Sequence, residues 1–165
     1  MRFILATATL FAAGSLQAWA EGISVERTEM GPTGLYSCKV VRSEPDLTGG
    51  TARSIADCVL DKETHAIPAK VGTRFGCSYK LFGTPEGARA HTILRWHIPK
   101  PGITNPANGN VFLEREYNGG ANLGGKPGTA TWTFDPGETV LGAWSVDIVF
   151  GGKVLGSCAF DVVAP

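Results

Sequence analysis

Apolar and polar residues alternate at every second position along much of this chain, most clearly over residues 142–163. Trp144, Val146, Ile148 and Phe150 share one parity, Gly151-Gly152 interrupts, and Val154, Cys158, Phe160 and Val162 follow. Alternation of period two on either side of a glycine pair predicts a β-hairpin. Its apolar face requires a second layer to cover it. A plain two-residue loop would set Phe150 against Lys153 and Trp144 against Ala159, turning the two apolar sets to opposite faces. The expected repair is a three-residue turn with Gly152 left-handed, which places Trp144 opposite Cys158 and Val146 opposite Gly156. A bulge in the last strand is the alternative.

The same period recurs upstream. Phe75, Cys77, Tyr79 and Leu81 alternate with polar or small neighbours over 74–82. Thr92, Leu94, Trp96 and Ile98 point one way over 91–98, with His91, Ile93, Arg95 and His97 pointing the other. Over 129–134, Ala130, Trp132 and Phe134 face inward and threonines outward. Weaker strands are expected at 35–42, at 111–117 and at 23–30, the last an edge broken by Gly31-Pro32-Thr33-Gly34. Residues 53–62 fit either a helical turn or a short strand. Residues 45–51, 99–110 and 118–128 are rich in Gly, Pro and Asn and read as turns or loops, the last one mobile. About eight short strands without a helical stripe predict an all-β fold, an antiparallel sandwich of immunoglobulin-like type with Trp96, Trp132 and Trp144 in one aromatic core.

The N-terminus changes the picture of where this domain works. Arg2, an uncharged and mostly apolar run over 3–13, and Ala18-Trp19-Ala20 together form a signal peptide with cleavage after residue 20. The remaining residues 21–165 make one domain, expected in the periplasm or secreted, with no membrane span in the mature chain. Lys and Arg number 15 and so do Asp and Glu. Loss of Arg2 therefore leaves the mature chain at minus one, without a basic field for nucleic acid. All 4 cysteines lie after the cleavage point, which fits two disulfides in an oxidising compartment. Three connectivities are possible. Cys77 and Cys158 both have inward parity, so the expected bridge joins them across the layers and leaves Cys38 with Cys58. No CxxC pair suggests zinc.

Residues 67–83, IPAKVGTRFGCSYKLFG, resemble domain-of-unknown-function family 3859, a group of small exported proteins. So do the later Trp144, Gly151, Gly152, Lys153, Leu155 and Phe160, and the Phe-Asp-Pro-Gly run at 134–137. The resemblance extends over 31–163. It implies a β-sandwich and carries over no catalytic residue.

Candidate chemistry is sparse, and no catalytic residue, metal ligand or cofactor is assigned. His91 and His97 share a strand face but lie about 20 Å apart at roughly 3.3 Å per residue, too far to hold one metal. Glu114 and Glu116, about 7 Å apart on one face, have a spacing compatible with glycoside hydrolysis. Ser157 has no evident base beside it, and paired cysteines leave no thiolate nucleophile. Binding through a surface is the leading expectation, the partner being an unidentified protein or envelope ligand. The candidate residues are His91, Ile93, Arg95 and His97 on one strand, and Asn105, Asn108, Asn118 and Asn122 in two loops that adjacent strands would bring together. Outward Ile93 and Phe82, with Phe112, form a candidate apolar patch. A small periplasmic hydrolase is the alternative, as is an inhibitor or chaperone that accepts a strand at the 23–30 edge.

Overall fold

The computed structural model describes residues 22–165, so the expected signal peptide over 1–20 lies outside the described residues. Eleven strands and no helix occur among the described residues. One sheet runs β2 (Thr51–Glu63), β1 (Ser24–Pro45), β4 (Arg74–Thr84), β9 (Gly128–Thr133). The other runs β3 (Ala66–Pro68), β11 (Lys153–Val163), β10 (Gly142–Phe150), β5 (Arg89–His97), β8 (Glu114–Asn122). A two-stranded ribbon, β6 (Ile103–Thr104) with β7 (Val111–Phe112), interrupts the predicted 99–110 loop. All pairings are antiparallel except β3 with β11.

The sheets close on the aromatic set that the alternation predicts. Trp96, Trp144, Phe75 and Phe134 are fully buried, and Trp132 is nearly so. Phe75 meets Trp96, Trp144 and Phe160 edge-on at 5.6, 5.9 and 5.1 Å, arrangements that suit the ring quadrupoles. Cys77 on β4 and Cys158 on β11 join the layers through the middle of this core, and Cys38 pairs with Cys58, as expected.

The final hairpin solves its parity conflict by the second route, not the first. Its loop is two residues long: Phe150 pairs with Lys153, and Gly151 and Gly152 both have positive φ (56° and 79°). That is the turn whose twist matches the flanking strands. The extra residue sits instead in β11, where the register slips between Ile148 and Val149. Trp144 then faces Phe160 rather than Cys158, and Val146 faces Cys158 rather than Gly156.

Upstream, two segments differ from expectation, 31–34 and 118–128, and the open choice at 53–62 falls to strand. The 31–34 segment bulges β1 without ending it, because the register against β4 shifts between Met30 and Thr33 while pairing continues to Leu35. Residues 53–62 are strand. Much of 118–128 is strand too, since Asn118–Asn122 pairs along β5 and only the following residues turn.

Beyond Leu35 the β1–β2 hairpin outruns its neighbour β4. This arm is bulged at three places and clamped across its two strands by Cys38–Cys58. It leaves the four-stranded sheet and reaches the edge of the other one, and the candidate site lies under it.

Candidate functional site

His91, Ile93, Arg95 and His97 leave β5 on the outer side of the five-stranded sheet. Register then decides their neighbours. Glu114 stands opposite His97, Glu116 and Asp147 flank Arg95, and Ser157 stands opposite Asp147. Arg95 Nε donates to Glu116 at 2.7 Å. The His97 ring lies 3.3 Å from Glu114 through Nδ1 and 2.9 Å from Asp147 through Nε2. Ser157 Oγ donates to Asp147 at 2.5 Å. Burial pushes the Asp147 carboxyl up, but hydrogen bonds from Ser157 and His97 outweigh it and hold it below the usual range. The serine thus serves a carboxylate rather than an imidazole base. The glutamates of the hydrolase alternative are occupied as ion pairs on an open sheet face.

The loop asparagines do not converge. Asn105 is buried, its Nδ2 donating to Leu47 O and its Oδ1 accepting from Ala107 N, so it is a brace and not a contact surface. Asn108 is exposed and accepts from Asn110 N. Asn118 and Asn122 are exposed strand residues of β8. What remains of the two predicted loops, 99–110 and the turn at 123–127, lies at opposite ends of β8, about 27 Å apart by strand length. Nor do Ile93, Phe82 and Phe112 make one patch. Ile93 and Phe82 lie on different sheets, and Arg27 stacks 3.8 Å above the Phe82 ring.

The structure instead assembles a site under the arm. Its tip, residues 46–50, is a turn closed by Asp46 N donating to Gly50 O. Asp46 accepts from Arg115 at 2.6 Å, from the Tyr117 hydroxyl at 2.7 Å and from Thr48 at 2.9 Å. The same Thr48 hydroxyl lies 3.0 Å from Glu138 Oε1, and Thr51 N and Arg53 both donate to Asp135. Burial pushes the Asp46 carboxyl up, but the bonds from Tyr117, Arg115 and Thr48 outweigh it and leave a net depression. Burial dominates at Glu138 and pushes it up, against donors from Asp135 N, Thr48 and Trp132. The Tyr117 hydroxyl is raised by burial and by its bond to Asp46.

Between the arm and the body runs an open cleft of about 1190 Å³. The underside of β2, with Arg53, Ile55 and Asp57, forms its roof. The outward face of β4 and β9, with Arg74, Ser78, Thr129, Thr131 and Thr133, borders it below. Trp132, Tyr117 and Asn118 line the flank where the two sheets expose their last strands, and Arg89 and Lys126 stand at one end. Of the predicted surface residues, His91, Ile93 and Asn118 border this cleft. Arg95, His97, Asn105, Asn108 and Asn122 do not. Sequence reasoning missed Asp46, Arg115, Tyr117 and Glu138. They are far apart in the chain, and the Asp in a turn motif at 45–51 was the only local signal.

No curated protein matches the chain at a significant level. An immunoglobulin-like protein from Pseudomonas aeruginosa has a similar structure, with a TM-score of 0.55 and 24% identity over 86% of this chain and 97% of that one. At that identity the likeness shows the fold alone, an immunoglobulin-like sandwich. A family model described as a domain of unknown function, DUF3859, matches residues 25–162, and the chain belongs to that family.

Proposed function

We propose that this protein is an exported, non-catalytic immunoglobulin-like module that holds a protein or envelope ligand in the cleft beneath the β1–β2 arm. The cleft carries the reading. It is large enough for an extended ligand, and it has aromatic, hydroxyl and cationic groups on its walls. The side chains best suited to chemistry on the outer sheet face are bound to one another, which supports binding over turnover. Two disulfides suit an oxidising compartment, in keeping with the export signal read at the N-terminus.

Affinity capture from a cell-envelope extract tests this, with the wild-type protein and Thr131→Trp as baits. Thr131 points outward from the edge strand β9 opposite Gly76, so an indole there fills the cleft without entering the core. A species retained by the wild type and lost from the variant supports the proposal. Equal retention by both baits, or turnover of a captured species by the wild type, overturns it.

A further inference from the structure

The charges lining the cleft are not balanced once their partners are assigned. Arg53 is tied to Asp135, Glu116 to Arg95 and Glu44 to Arg42. Arg74, Arg89 and Lys126 remain without a carboxylate partner among the described residues. The Arg74 guanidinium is nevertheless held in place, Nε donating to Thr133 Oγ1 and Nη1 to Cys38 O. Against these three cations stand Asp57 and the buried Glu138, whose ionisation burial disfavours. Unpaired positive charge calls for a ligand rich in acceptors and negative charge.

The backbone decides which such ligand. β9 and β8 are the terminal strands of their sheets, and both line the cleft, so unpaired backbone groups run along it. The cations bracket the β9 edge. Arg74 pairs across from Thr133 at one end, while Lys126 precedes Gly128 at the other, about 17 Å away along the strand. We propose that the cleft takes an acidic peptide segment of about six residues in extended form, which adds to the β9 edge and places carboxylates on Arg74 at one end and on Arg89 and Lys126 at the other. This rests on the cleft reading above and names its ligand class.

The probe is a fluorescein-labelled octapeptide with glutamates at both ends and a valine–threonine middle, titrated against the full mature protein by anisotropy. Comparisons are the same peptide with lysines for glutamates, one with a central proline, and soluble polygalacturonate. The expected result is saturable binding of the acidic peptide that weakens as salt rises. The lysine and proline peptides should bind at least tenfold more weakly, and β9 amides should gain hydrogen-exchange protection. The double variant Arg89→Glu, Lys126→Glu, at two exposed positions, should lose at least tenfold in affinity with unchanged thermal unfolding. Equal binding of both peptide charges, preference for the polyuronate, or no loss in the variant overturns the proposal. If the peptide fails while Thr131→Trp still abolishes capture from extract, the ligand class is wrong and the cleft reading survives.

Discussion

Asp46 is the point at which the arm is fastened to the body, and removing its carboxylate gives the sharpest test of that reading. Its side chain is 6% exposed and that of its partner Arg115 15%. Deleting one member of a buried ion pair typically costs about 3–5 kcal/mol, because the other charge stays desolvated. The tip is a turn at the end of a two-stranded arm, however, so it can lift and let Arg115 rehydrate. That lowers the expected loss for Asp46→Ala to about 2–3 kcal/mol, the scale of hydrogen bonds to a charged group. Asp46→Asn keeps an acceptor for Tyr117 and Thr48 but not the charge, and should lose about 1–2 kcal/mol. The folded state depresses this carboxyl, so its contribution is complete above the ordinary aspartate value of 3.8 and is lost as pH falls through the lower folded value. The difference between wild type and Asp46→Asn should therefore be full at pH 7 and shrink below about pH 4. Urea unfolding gives the global loss, and hydrogen-exchange mass spectrometry of residues 46–53 gives the local opening. A loss undiminished at low pH, or no faster exchange at the tip in Asp46→Ala, would refute the anchoring.

Other expectations follow from the same geometry. The Cys77–Cys158 bridge spans 81 residues of sequence and Cys38–Cys58 spans 20. Chain entropy then gives stabilisations of about 4.5 and about 3.3 kcal/mol, and paired alanine variants in urea should lose more for the first. Equal losses would contradict this. Glu138 is raised by burial, so the folded state favours its neutral form. Its contribution is greatest below its unfolded value and declines as pH rises through the folded one. Denaturation from pH 4 to 7 should accordingly show wild type losing ground against Glu138→Gln. In the last hairpin, Gly152→Ala should cost about 1 kcal/mol, because its φ is left-handed, whereas Gly151→Asn should be close to neutral. A shift in the melting temperature of equal size for both would argue against the observed turn.

Local pattern settled most of the sandwich and little of the site. The inward parity of Phe75, Trp96, Trp132 and Trp144 follows from side-chain alternation, a property of each strand taken alone, and so does the meeting of Cys77 with Cys158 across the layers. That parity also showed that the final hairpin had to contain an odd residue. Whether the turn or β11 would absorb it depended on Gly151 and Gly152 both accepting a left-handed backbone, and on the way β10 lies against β5. The arm could not be read in the same way. Its exposed Val41 and Val59 blur the alternation, and its path is set by Asp46, Thr48 and Arg53 meeting Arg115, Glu138 and Asp135 some 70 to 90 residues later. The sequence by itself therefore determined the layers, the core and the disulfides, because these depend on the order of neighbours along a strand. Only the tertiary structure decided the cleft, because burial alone makes such distant charges prefer one another to water.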